Sequence, residues 1–202
     1  SVVTVTIPGL DLRRATGYLL RVTFLEDATG ERNSVVNAPR AFTIVPAPAD
    51  LATSSIAPPD TASNAAGTVL NMPVTVYDQF GNLAAIPPGA LSVVLTQGSA
   101  DFAATIVQDA DGNYFAQATL EQAGVPVTVN AQINGQTLPG SGFALETTVG
   151  APSAEASVPT GTGTSGQPSP AGTTQSISIA PTDAFGNPIP NAPGYSVTVS
   201  FE

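Results

Sequence analysis

Between residues 69 and 149 apolar and polar positions alternate with a period of two. Leu70, Met72, Val74 and Val76 are separated by Asn71, Pro73 and Thr75, and Val125, Val127, Val129, Ala131 and Ile133 by Pro126, Thr128, Asn130 and Gln132. Successive side chains of an extended strand point to opposite faces, so each run predicts a strand with one face in a core and one in water. Tyr114, Ala116, Ala118 and Leu120 predict a third strand, Phe102, Ala104 and Ile106 a fourth, and Leu91, Val93 and Leu95 a fifth. Residues 54–57 and 142–149 complete a set of about seven, and a composition rich in Val, Thr, Ala, Ser, Gly and Pro favours short strands joined by turns over amphipathic helices. The pattern predicts an all-β chain built as two facing sheets.

The pattern also repeats. Asp-x-Phe-Gly-Asn stands at 78–82 and at 183–187, so Asp78 and Asp183 are 105 positions apart (183 − 78). Ala66-Gly67-Thr68 returns as Ala171-Gly172-Thr173 at the same shift, residues 91–95 align with 195–199, and Phe42 with Phe143. A fixed period of this kind marks tandem units, each one supersecondary assembly with its own core. Three are expected: the C-terminal part of one over 1–48, a complete one over 49–150, and the N-terminal part of a third over 151–202, whose first strand is expected at 154–158. Seven strands in about 100 residues, punctuated by turn residues, predict an immunoglobulin-like sandwich for each complete unit. Both ends of the chain carry strand-like patterns, which suggests a piece of a longer protein.

The Asp-x-Phe-Gly-Asn stretch reads as a structural turn. Asp78 and Asp183 follow an alternating strand, where a carboxylate accepts main-chain N–H groups, and Gly81-Asn82 and Gly186-Asn187 tolerate positive φ. Phe80 and Phe185 are then expected to fold back and seal one end of the sandwich, each burying apolar surface that stabilises by about 2 to 3 kcal/mol.

Other residues carry a family likeness. Asp111-Gly112-Asn113-Tyr114, followed by Ala123-Gly124 and Val127-Thr128-Val129, and then Asn134-Gly135-Gln136-Thr137-Leu138-Pro139-Gly140-Ser141-Gly142-Phe143, resemble the body and ending of a filamin-type immunoglobulin-like repeat. Gly142 stands where that family usually has proline. The Asp-x-Phe-Gly-Asn turns are also similar to bacterial immunoglobulin-like adhesin repeats. The filamin-type resemblance implies an exposed edge that accepts a partner's strand, carried here by Leu91, Val93, Leu95, Phe102, Ala104 and Ile106, with main-chain hydrogen bonds supplying the affinity.

Charge and composition remove several functions. The net charge is −10, and the five basic residues, all arginine, lie at or before Arg40. Replacing the counterions of a phosphate backbone needs cations, so nucleic acid is not an expected partner, nor is an anionic membrane surface. No apolar run is long enough to insert this fragment into a membrane. With no Cys, His or Lys, a serine nucleophile has none of its usual bases, and the carboxylates are scattered along turns, so no enzyme and no cofactor are expected. Asp109, Asp111 and Asn113 place oxygen atoms at alternate positions, as calcium prefers, but counting from Asp109 puts Tyr114 where an EF-hand has glycine and Leu120 where it has glutamate. A hairpin turn accounts for the same residues.

The Ser/Thr/Pro-rich stretch 151–172 is expected to be mainly loop; Ser169 and the threonines near it are candidate acceptors for O-glycans, whereas the sequence holds no N-glycosylation sequon. Together these features predict a structural or adhesive segment of a larger extracellular or cell-surface assembly, whose partners are other protein chains or repeats of the same protein. The alternative is a cytoskeletal or ciliary scaffold that binds peptides by strand addition.

Overall fold

The computed structural model describes residues 10–25, 32–34, 39–59, 64–162, 166, 168–190 and 198. In the leading segment, strands β1 (Gly17–Leu20), β2 (Thr23–Leu25), β3 (Arg32–Ser34) and β4 (Arg40–Thr43) form two antiparallel pairs, β1 with β4 and β2 with β3. Tyr18 and Phe42, opposite each other in the first pair, stack with ring centroids 5.6 Å apart.

The central unit contains β5 (Ser55–Ile56), β6 (Val69–Thr75), β7 (Leu91–Gln97), β8 (Ala100–Ala103), β9 (Thr105–Gln108), β10 (Tyr114–Thr119), β11 (Val127–Ile133), β12 (Gln136–Thr137) and β13 (Phe143–Leu145). One sheet runs β5-β6-β10-β9. The other runs β8-β7-β11, with β12 and β13 sharing the far flank of β11. All named pairings are antiparallel, and the inward positions are those the alternation predicts: Leu70, Met72 and Val74 of β6, Val127, Val129 and Ala131 of β11, and Tyr114 and Ala116 of β10 are buried in one cluster. The β11–β12 hairpin turns on Asn134 and Gly135, with φ of 51° and 77°. Two successive positive values are what a two-residue turn needs to match the twist of its strands.

Two expectations fail here. Phe102, Ala104 and Ile106 do not share one strand: β8 pairs with β7 in one sheet, and β9 pairs with β10 in the other. The backbone changes sheets at Ala104, whose N–H donates to the Val93 carbonyl at 2.9 Å. Leu91, Val93 and Leu95 are not at an edge either. Their strand is paired on both sides, by β11 and by β8, and their side chains are buried in the core. Among the described residues this flank ends at the outer side of β8, where Phe102 is 45% exposed; Ala104 and Ile106 are half-buried against the core.

Several local contacts of the trailing segment match those at the start of the central unit. Residues 154–156 form a turn rather than the strand expected at 154–158, and β14 (Pro159–Thr160) pairs with β15 (Ser178–Ile179). The same succession occurs earlier, where a 3-10 turn over Leu51–Thr53 precedes β5. Ser54 Oγ accepts the Tyr77 N–H at 3.0 Å, and Ser157 Oγ accepts the Thr182 N–H at 3.0 Å. Ile56 opposes Val74 as Pro159 opposes Ile179. Of the segment 195–199 that aligns with β7, only Thr198 is among the described residues. Among the described residues, no helix is long and apolar enough to cross a membrane.

Candidate functional site

The 78–82 turn closes on itself through the Asp78 carboxylate. Oδ1 accepts the N–H groups of Phe80 and Asn82, both at 2.9 Å, while the Asn82 carbonyl accepts the Asp78 N–H at 2.9 Å. Gly81 sits at φ 79°. This left-handed conformation, open to glycine at no steric cost, lets the chain reverse between Phe80 and Asn82. Asp78 is fully buried. Burial alone would raise its carboxyl, but the Asn82 side-chain amide and the N–H groups of Asn82, Ala47 and Phe80 outweigh that and hold it at about 2.

Beyond its own turn, the carboxylate reaches into the leading segment. Oδ2 accepts the Ala47 N–H at 2.9 Å and the Asn82 Nδ2–H at 2.9 Å. Asn82 Nδ2 also donates to the Arg13 carbonyl at 2.6 Å, and its Oδ1 accepts the Ala15 N–H at 2.8 Å. One carboxamide thus grips the carbonyl of one residue and the N–H of the second residue after it.

The 183–187 turn makes the same set of bonds against the central unit. Asp183 Oδ1 accepts the N–H groups of Phe185 and Asn187 at 2.9 Å each, and Oδ2 accepts the Gly150 N–H at 2.9 Å and Asn187 Nδ2–H at 2.7 Å. Asn187 Nδ2 donates to the Glu121 carbonyl at 2.6 Å, and Oδ1 accepts the Ala123 N–H at 2.9 Å. Burial opposes ionisation of Asp183, yet the Asn187 amide and the N–H groups of Gly150, Asn187 and Phe185 hold its carboxyl at about 2.

The aromatic residue of each turn does not seal a sandwich end. Phe80 is 44% exposed and Phe185 43% exposed, so the expected core burial is corrected. Each ring instead faces the segment before it. The Arg13 guanidinium lies 5.9 Å from the centroid of Phe80. At that separation the cation is attracted by the negative face of the ring. Phe185 covers Gly67 so closely that a Cβ there would lie 2.5 Å from the ring. The reason is geometric: the Asp and Asn side chains hold the turn at the surface where two segments meet, and a side chain between them points along that surface.

A third turn of this kind occupies the residues that the sequence reads as a hairpin turn. Asp109-Ala110-Asp111-Gly112-Asn113 keeps Asp, Gly and Asn at the same spacing and lacks the Phe. Asp109 Oδ1 accepts the N–H groups of Asp111 and Asn113 at 3.0 and 2.8 Å, and Oδ2 accepts Asn113 Nδ2–H at 2.9 Å. The Asn113 amide and N–H hold the Asp109 carboxyl below its ordinary range despite its desolvation. These donors converge on the oxygens that the calcium reading assigned to a cation. Among the described residues, no group of three or more acidic or other metal-ligating side chains is placed to hold a metal.

No protein-family model matches this chain, and no curated protein does. Among solved structures it is similar to FdeC, an Escherichia coli adhesin, at 19% identity and a TM-score of 0.52, over 86% of this chain and 53% of that one. It also aligns with invasin, a bacterial integrin-binding protein, at 20% identity and a TM-score of 0.45, over 82% of this chain and 32% of that one. The Lin-41 filamin domain aligns at 14% identity and a TM-score of 0.45, over 52% of this chain and 100% of that domain. This chain therefore spans about half of the adhesin structure and about a third of the invasin structure. The likeness to the adhesin concerns the fold alone: antiparallel sheets packed as an immunoglobulin-like sandwich.

Proposed function

We propose that this chain is a structural and adhesive segment of tandem immunoglobulin-like repeats, which spaces and presents protein-binding surfaces outside the cell. The observation that carries the reading is the recurrence of one turn at both ends of the central unit, with the same bonds to the segment before it. A chain that joins consecutive units through fixed hydrogen bonds keeps them at a set distance and orientation. The surface beyond Arg40 carries no positive side chain, which suits a protein that stays dispersed and meets its partners through shape and main chain. The fold shared with a bacterial adhesin supports the same direction. Catalysis has no part in it.

A second reading follows from the open side of β8. Among the described residues no strand pairs with the outer side of β8 (Ala100–Ala103), and this edge beside the exposed Phe102 is a surface to which a partner's strand can add, as in an intracellular scaffold. Antibody against this chain, applied to intact cells of the source, separates the two readings. Labelling without permeabilisation is expected. Labelling that appears only after permeabilisation would reject the surface reading and favour the scaffold.

A further inference from the structure

The two receiving loops have opposite side-chain character. The 78–82 turn docks on Leu12-Arg13-Arg14-Ala15, and the 183–187 turn on Leu120-Glu121-Gln122-Ala123. Where one loop presents arginine, the other presents glutamate, yet both supply a carbonyl from that residue at 2.6 Å and an N–H from the alanine two positions later. The third contact, from Ala47 in one joint and Gly150 in the other, is again a main-chain N–H.

We infer that Asp-x-Phe-Gly-Asn is a docking clamp addressed to main chain, through which a repeat holds whichever repeat precedes it regardless of that neighbour's side chains. The inference rests on the tandem-repeat reading above and names the surface by which the repeats recognise each other.

Asparagine is the side chain that fits. Its Nδ2 carries two hydrogens, one for the aspartate of its own turn and one for the neighbour's carbonyl, while Oδ1 takes the neighbour's N–H. Aspartate would have no hydrogen to give and would repel the carboxylate beside it. Glutamine would place the amide one carbon too far out. The clamp is also formed before it docks, because the 109–113 turn adopts the same internal bonding with no described segment joined to it through Asn113. Little ordering cost is then left for docking itself. The aromatic residue adds contact that adjusts to the neighbour, against Arg13 in one joint and over Gly67 in the other.

Amide hydrogen exchange measured by NMR on the full chain tests this. In the wild type the amides of Ala15, Ala47, Ala123 and Gly150, each donated to a clamp side chain, are expected to exchange slowly. Asn187→Ala speeds Ala123 by about tenfold or more, the worth of one buried hydrogen bond, and leaves Ala15 unchanged. The double variant Glu121→Arg with Gln122→Arg, which gives the second loop the side chains of the first, keeps Ala123 within about twofold of wild type, well inside the same scale. If the double variant exposes Ala123 as much as Asn187→Ala does, or if Ala123 exchanges freely in the wild type, the clamp is wrong. Should Asn187→Ala fail to fold, the double variant alone decides. Failure of the repeat reading shows elsewhere: the Thr182 amide, held by Ser157 Oγ as Tyr77 is by Ser54 Oγ, would be unprotected.

Discussion

Gly140 lies in the Leu138-Pro139-Gly140-Ser141 stretch that carries part of the filamin-type resemblance, and the structure gives it a specific burden. Its φ is 82°, and a Cβ built on it would meet the Ile56 carbonyl, a main-chain atom that cannot rotate away. The contact is close because the Pro139 carbonyl accepts the Ile56 N–H at 3.0 Å, pinning the loop onto β5. Leu138, two residues earlier in the loop, is buried in the core, so the loop cannot lift without withdrawing it. Gly140→Ala therefore costs about 1 to 2 kcal/mol for the left-handed backbone. It costs a further 0.5 to 1.5 kcal/mol, roughly, for the hydrogen bond that must stretch or break. For a unit of this size, each kcal/mol lowers the thermal midpoint by about 4 to 8 °C. Gly142→Ala is the control: its φ is 86°, but nothing lies within 4 Å of the added Cβ, so only the backbone cost applies. Calorimetry of the two variants should place Gly140→Ala clearly below Gly142→Ala, and equal midpoints would refute the steric argument.

Two further predictions concern the turns. The carboxyls of Asp78 and Asp183 sit at about 2 in the folded chain, and that of Asp109 below its ordinary value. Unfolded aspartate titrates near about 3.9, so the unfolded chain binds protons first as pH falls. The contribution of these groups is thus fully present above about pH 4 and is lost progressively as pH drops through about 2. Unfolding midpoints recorded from about pH 5 to pH 2 should decline across that window, and a flat profile would contradict the hydrogen-bonding assignment. Phe80→Ala should destabilise the central unit by under about 1 kcal/mol, since the ring is already 44% exposed. Met72→Ala, at a fully buried position, should cost about 2 to 5 kcal/mol. Equal losses would restore the core role for the phenylalanine.

The strands were legible because burial on one face leaves a period of two, and Leu70, Met72, Val74 and Val76 keep it without interruption. The crossing at Ala104 left no such trace. Phe102, Ala104 and Ile106 continue the alternation through the point where the backbone changes sheets, and neither glycine nor proline marks it. The phenylalanines misled for a related reason: an aromatic residue beside a turn predicts burial in its own unit, whereas its surroundings here come from the segment before it. The 109–113 turn was visible as Asp, Gly and Asn at a repeated spacing, but including Phe in the motif concealed its kinship with the other two. The receiving side of each joint could not be read at all, because the groups it offers are carbonyls and N–H groups that nearly every residue possesses.

The passage of one continuous backbone from β8 into β9 has a mechanical meaning. Ala104 ties the two sheets together, because the β7–β8 ladder ends and the β9–β10 ladder begins within one residue of it. The crossing thus works as a hinge pin, so that a pull on β8 is carried through Ala104 into the ladder that β9 makes with β10.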